Sequence, residues 1–295
     1  MPSALIPELS GRRLSVDVAL KDPTRILRER IAKLADDQTL LPKFFHQLGK
    51  PVEGGGMLYS VIQASDFYSS DVEKRSPGGE YKVVEGVDPD PQLAVVEDWG
   101  GKFQITDEQI RRNDVSYLDQ QTTQLANTIA RKIDTRAYAE LNAKVTSPNN
   151  SVVIDGNWEN LVFVGPADSL TPSGDRPSAH LSEAQLVADL QELGVRHDLV
   201  AVNPEQAHEL RTAYGDGLDA MLKSAGVTLY SNPRITAGTV WALAAGQVGT
   251  VGFEAPLTVE VYDDRATRSK WVQAYAVPAF AVDKPYAAKK ISLTA

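Results

Sequence analysis

Residues 102–134 read KFQITDEQIRRNDVSYLDQQTTQLANTIARKID, a short alternating stretch running directly into a long helical pattern. Thr106 followed three residues later by Gln109 is a capping box, in which hydroxyl and amide each satisfy an orphan backbone N–H. Asp107 and Glu108 add negative charge at the positive end of the helix dipole. Leu118, Leu125, Ile129, Ile133, Ala137 and Leu141 then recur at steps of four or seven, with no Pro or Gly before Pro148. The spacing predicts one helix over 106–143, roughly 55 Å long. Globular helices average about 11–12 residues. This stripe is narrow, and Arg111, Arg112, Asp114, Asp119, Arg131, Lys132 and Asp134 surround it. Such a helix suits a strut across a thin molecule; a coiled-coil seam fits less well, because no a/d heptad is sustained.

The 295 residues, 42% hydrophobic and 23% charged, can fill the core of one large domain or two. There is no cysteine, which excludes disulfides, thiolate catalysis and zinc–thiolate sites and points to a reducing compartment. No run approaches the ~18 apolar residues of a membrane span, and MPSALIPELS lacks the basic-then-apolar order of a signal peptide. The sequon Asn149-Asn150-Ser151 is on that reading an accident of composition. A formal net charge of -9 argues against a nucleic-acid grip, which needs a basic face.

Charge is unevenly spread. Residues 1–50 carry nine basic and six acidic side chains, a net of +3, and residues 64–98 carry three basic and nine acidic, a net of -6. Opposite signs on two extended segments suit register between copies of the chain, although two solvated surfaces would look the same. Between them, GGGMLYSVIQ (54–63), SDFYSSDVEKR (65–75), SPGG (76–79), EYKVVEG (80–86) and LAVVEDWGGKFQI (93–105) predict β-rich arms folding back at Pro77-Gly78-Gly79. An isolated two-stranded ribbon is marginal in water, so this one is expected to lie on a neighbouring molecule. Gly54, Gly55 and Gly56 on one side and Gly100 and Gly101 on the other bracket it, as hinges or as ordinary turns.

Downstream the chain alternates as an α/β unit. LSEAQLVADLQELG (181–194) predicts a helix ended by Gly194, DLVAVNP (198–204) a buried strand, and EQAHELRTAYG (205–215) a helix stopped by Gly215. The last segment, from Arg268, has the look of two strands, and 146–180 that of an irregular exposed excursion.

A basic arm, a glycine-bracketed hairpin, ITDEQIRRND opening a long helix, an LVAVNP strand-to-helix step and LYSNPRITAGTVWALAAGQVGTVGFEAPLTVEV follow one another over nearly the whole chain. That order resembles the major capsid proteins of tailed double-stranded DNA phages, with the α+β Hong Kong 97-like capsid fold that encapsulin compartments share. The resemblance implies an N-terminal arm at 1–50, an extended hairpin loop (E-loop) at 51–104, a peripheral domain at 105–150 and 251–295 containing the spine helix, and an axial domain at 151–250. It implies self-assembly through pentamers and hexamers into an icosahedral shell around the phage genome, assembled in the bacterial host cytoplasm and residing in the virion. Contacts between subunits are then expected from Lys74, Arg75, Pro77, Gly78, Gly79, Glu80 and Lys82 at the hairpin tip and from Arg25, Arg28 and Arg30 on the arm. The expected partners are other copies, a separate scaffold protein (some fifty residues precede the hairpin), a portal and a decoration protein; double-stranded DNA is enclosed without sequence-specific binding, and no membrane is involved. Neither cofactor nor metal is expected.

Two alternatives stay open: an encapsulin-like compartment shell and a soluble cytosolic hydrolase. For the latter, His46, His180, His197 and His208 never fall at metal-ligand spacing, and no GxSxG, GxxxxGK[ST] or GxGxxG is present. His197, between Arg196 and Asp198, reads as a surface connector, with a general base paired to a carboxylate as the other reading. Asp88-Pro89-Asp90 has the look of a metal site, but between two prolines in an acidic ribbon it reads as a solvated turn.

Overall fold

A computed structural model describes residues 39–86, 89–112, 115–145 and 150–293. The described helices are α1 (Leu41–Phe44), α2 (Asp107–Arg111), α3 (Val115–Lys144), α4 (Pro177–Leu190), α5 (Pro204–Tyr214) and α6 (Leu218–Ala225). The strands are β1 (Phe45–Gln47), β2 (Gly56–Ser60), β3 (Pro91–Val95), β4 (Trp99–Thr106), β5 (Ser151–Ile154), β6 (Leu199–Val202), β7 (Thr228–Ser231), β8 (Thr239–Leu243), β9 (Gly249–Asp264), β10 (Ser269–Ala281) and β11 (Ala288–Leu293). They form a four-stranded sheet, β1-β9-β10-β4, a five-stranded sheet, β5-β11-β8-β6-β7, and the pair β2-β3.

The capping box forms as the sequence predicts: the Gln109 amide oxygen accepts from the Thr106 N–H at 2.9 Å, and the Thr106 hydroxyl accepts from the Gln109 N–H at 3.3 Å. It starts a shorter helix than expected. The predicted single helix over 106–143 is divided into α2 and the 30-residue α3, with Asn113 and Asp114 between them outside the described residues. The remaining rod is about 45 Å long.

One stripe of α3 serves two cores. Leu118, Ala126 and Ile129 pack on Phe103 and Ile105 of β4 and on Val259, Val272 and Ala274 of β9 and β10. A turn or two later Ala137, Tyr138 and Leu141 join Leu199, Trp241 and Leu243 of the five-stranded sheet together with Phe44, Val251 and Phe280. The helix therefore bridges both sheets. Each large aliphatic or aromatic side chain buried there contributes roughly 1.5–3 kcal/mol. Trp241, fully buried, meets Phe44 and Tyr138 edge-on, each at 6.2 Å between ring centroids.

The other face of the five-stranded sheet is covered by α4, α5 and α6 around Val200, Val202, Val240, Ile291 and Trp158. Gly215 ends α5 at φ 50°, as the sequence predicts, and Asn203 caps its start by accepting from the Glu205 N–H at 3.0 Å. One expectation changes and another is refined. The C-terminal strand does not return to the peripheral sheet: β11 lies between β5 and β8, with Ala288 and Ile291 fully buried, so the tail of the expected 251–295 segment belongs with 151–250. The stretch from 155 to 175 is irregular and largely exposed as expected, but it is anchored at Trp158, which is 1% exposed and whose Nε1 donates to His180 Nδ1 at 3.0 Å.

Candidate assembly surface

The ribbon expected at 51–104 has a rigid root. β2 and β3 pair antiparallel from Gly56 opposite Val95 to Ser60 opposite Pro91. Ala94 is buried against Ala279 and Ala281 of β10, with Met57, Tyr59 and Val96 beside them. The Ile62 N–H donates to the Asp283 carbonyl at 2.8 Å and the Glu97 N–H to the Pro278 carbonyl at 2.9 Å. From α3, the Arg136 guanidinium holds Glu97 at 2.8 Å and Glu140 at 2.9 Å, and Lys144 Nζ donates to the Gln92 side-chain oxygen at 3.0 Å.

Beyond Ser60 the strands stop. Among the described residues 61–86 and 89–90 there is no strand, so EYKVVEG does not form the β arm its valines suggested. The chain still folds back: the Ser70 N–H donates to the Glu85 carbonyl at 2.9 Å, and the Gly79 N–H to the Ser76 carbonyl at 3.0 Å. Pro77 followed by Gly78 at φ 86° makes that tip a type II turn, whose third position only glycine or asparagine occupies easily. The tip residues named from sequence come together here. Arg75 donates to the Gly79 carbonyl at 2.9 Å and sits 4.9 Å above the Tyr81 ring, and Lys82 pairs with Glu73 at 3.0 Å. Lys74, Pro77 and Glu80 are also exposed.

What distinguishes the ribbon is unburied apolar surface. Val72, Tyr81 and Val83 are 73%, 77% and 83% exposed, and Leu58, Phe67, Leu93 and Val95 are also largely open. Exposed apolar residues gathered on one segment are a feature common at contact surfaces. One contact reaches the other half of the chain, from the Tyr68 hydroxyl to the Glu192 carbonyl at 3.3 Å.

The bracketing glycines divide into two kinds. Gly54 and Gly55 turn at φ 78° and 80°, where other residues are strained. Gly100 and Gly101 lie inside β4, paired with Tyr275 and Ala274, and a Cβ on either would come within 2.7 Å of the Tyr275 or Leu125 side chain. Close packing, not hinge motion, explains that pair. Arg25, Arg28, Arg30 and Asp88 lie outside the described residues.

The interior offers no catalytic pairing at His197. It is neither a surface connector nor a base held by a carboxylate. It is 6% exposed with no partner on either ring nitrogen, while Asp198 accepts from the Ala245 N–H at 2.7 Å. Burial, aided by the Lys289 ammonium, pushes the imidazole down from 6.5 to about 4. Lys289, also fully buried, donates to Asn150, Gln191 and the Tyr286 carbonyl at 3.0, 2.6 and 3.1 Å, and burial pushes it down to about 8. Asn150 of the sequon is thus an internal acceptor. Between pH 6.5 and 4 the unfolded chain binds the extra proton at His197, so stability falls as pH falls, by about 2 kcal/mol at pH 5. His197→Leu is expected to reduce the difference in unfolding free energy between pH 7 and pH 5 by that amount in urea titrations. Among the described residues no three His, Cys, Asp or Glu side chains gather as a metal site, and no helix is long and apolar enough to cross a membrane.

A family model described as phage capsid protein matches residues 90–291. No curated protein matches the sequence. The fold is similar to the capsid protein of cyanophage P-SCSP1u, with TM-score 0.62 and 13% identity over 87% of this chain and 88% of that one. It is similar to a chain of Microbacterium phage Oxtober96, with TM-score 0.63 and 9% identity over 87% and 91%. The virus-like particle from Pyrococcus furiosus gives TM-score 0.59 and 15% identity over 90% and 98%. Such identities speak for the fold alone. With the family match over 90–291, the helix bridging two sheets and the apolar ribbon, the chain belongs to the phage capsid protein family and has the α+β Hong Kong 97-like fold.

Proposed function

We infer that this chain is the major capsid protein of a tailed phage, a structural subunit without enzymatic activity, assembling with copies of itself through pentamers and hexamers into the icosahedral shell of the virion. The ribbon carries this reading: a root built into β10 and α3 presents a tip whose apolar side chains find no cover on their own subunit. On a neighbour they would be covered, and Lys74, Arg75, Glu80 and Lys82 would supply polar contacts at the rim. The arm with Arg25, Arg28 and Arg30 would meet the acidic side of another copy's ribbon, Gly54 to Gly56 would let the ribbon settle, and a separate scaffold, a portal and a decoration protein would complete the particle. Assembly would take place in the host cytoplasm. Each subunit would bury well over the ~1,600 Å² of a standard pairwise interface, divided among several neighbours, so that weak contacts sum through closed symmetry.

The chain expressed with its neighbouring genes should sediment as large particles and appear in negative stain as closed shells. Charge reversal at Arg25, Arg28 and Arg30 should reduce their yield and flatten its dependence on salt. Only monomers or dimers, in every salt and with every neighbouring gene, would remove the shell reading.

A further inference from the structure

Asp134 sits midway along the longest helix, among residues that look like a polar flank, yet its side chain is 0% exposed. Its two oxygens accept from the Leu40 N–H at 3.0 Å and the Leu41 N–H at 3.2 Å, and Arg234 Nη1 donates to one of them. Leu40 has no side chain able to cap α1, so the carboxylate caps it from more than ninety positions away. The network then closes on itself. The Arg234 N–H donates to Asn232 Oδ1 at 2.9 Å, Asn232 Nδ2 donates to the Tyr230 hydroxyl at 3.0 Å, and that hydroxyl donates to the Thr39 carbonyl at 3.1 Å. Lys43 adds a cation 5.4 Å above the Tyr230 ring.

Three stretches far apart in sequence thus form one ring of hydrogen bonds: 39–41, Asp134 on α3, and the segment from β7 toward β8. A buried carboxylate is an expensive way to hold such segments together, because desolvation offsets most of its attraction to Arg234, and apolar packing would hold them as well. Charged hydrogen bonds add direction, since each donor must lie near a lone pair of its acceptor. The element held in direction is Thr39–Leu41, through which the chain passes from residues 1–38 into the fold.

We propose that the ring of Asp134, Arg234, Asn232 and Tyr230 is an aiming device, fixing the direction in which the N-terminal segment leaves the subunit and hence which neighbouring copy it engages. The idea rests on the shell reading above. These four are positioning residues, acting through Thr39–Leu41 on a contact made elsewhere. Because the same ring ties α3 to the five-stranded sheet, a turn of that sheet relative to the helix would re-aim the segment as well.

The test uses the full chain and its shells. Tyr230→Phe removes one hydroxyl and leaves the ring shape; Asp134→Asn keeps size and removes the charge. Ile291→Val, in the core away from the ring, serves as a control for general loss of stability. Both ring variants should lower the fraction of closed shells by roughly fivefold or more and broaden the particle diameters in negative stain. The Ile291→Val chain, compared at matched loss of melting temperature, should assemble like the parent. If Asp134→Asn fails to fold, Tyr230→Phe decides. Ring variants with parental shell yield and diameter, or a control that fails in the same way, would overturn the aiming role while leaving the shell reading intact. A parent chain that never forms particles would remove both.

Discussion

Replacing residues 66–86 by a short glycine–serine link is expected to leave a folded subunit that closes no shells. The excised segment makes few contacts with its own chain: Tyr68 bonds to Glu192, Asp66 exchanges hydrogen bonds with Gln63 just outside the cut, and the fold-back is held by bonds from one part of the segment to another. The root stays, because β2, β3, the Ile62 bond to Asp283 and the Arg136 pair with Glu97 all lie outside the cut. A shorter closing loop costs or gains only about 0.6 kcal/mol per twofold change in length. Thermal melting should therefore sit within a few degrees of the parent. Assembly should collapse, because the exposed Val72, Tyr81 and Val83 go with the segment and the same contact is lost on every copy. At 1.4 kcal/mol per tenfold in affinity, a modest loss repeated around each ring is decisive. Closed shells at parental yield, seen by sedimentation and negative stain, would show that the ribbon is not an assembly contact.

Trp241→Ala should produce the largest loss of stability of any single substitution proposed for this chain, about 3–5 kcal/mol. The indole is fully buried, meets Phe44 and Tyr138 edge-on and donates weakly to the Tyr138 hydroxyl at 3.4 Å. Its neighbours come from the first helix, the long helix and the five-stranded sheet, so the cavity left behind cannot close by shifting one element. A fall of roughly 10 °C in Tm is expected for a chain of this size. A loss under about 1 kcal/mol in urea or thermal unfolding would mean that the two sheets do not share a core through this residue.

The contrast between Thr106 and Asp134 shows what a sequence displays. The Thr106–Gln109 box and the Gly215 stop rest on residues close together in sequence, and both are where the pattern put them. Asp134 and His197 carry no such local mark. Each is a polar side chain with no local sign of burial, and each is buried because segments distant in sequence pack against it. The valines of EYKVVEG misled for the same reason, since β propensity expresses itself only where a partner strand is present. Gly100 and Gly101 read equally as hinge or turn because glycine permits both motion and close approach, and it is β10 beside Gly100 and the long helix over Gly101 that leave no room for a Cβ.

The sequence by itself determined the family resemblance, a long helix with one apolar stripe, the Thr106–Gln109 capping box, the fold-back at Pro77-Gly78-Gly79 and the cysteine-free, acidic character of the chain. These follow from composition or from bonds between near neighbours, whose geometry is settled before anything else folds. Only the tertiary structure decided that α3 serves two cores, that β11 joins the five-stranded sheet, that the hairpin ends as an uncovered apolar ribbon and that Asp134 caps a helix over ninety residues away. Those outcomes depend on which segments meet across long loops, where burial and directional hydrogen bonding act on pairs that no local spacing relates.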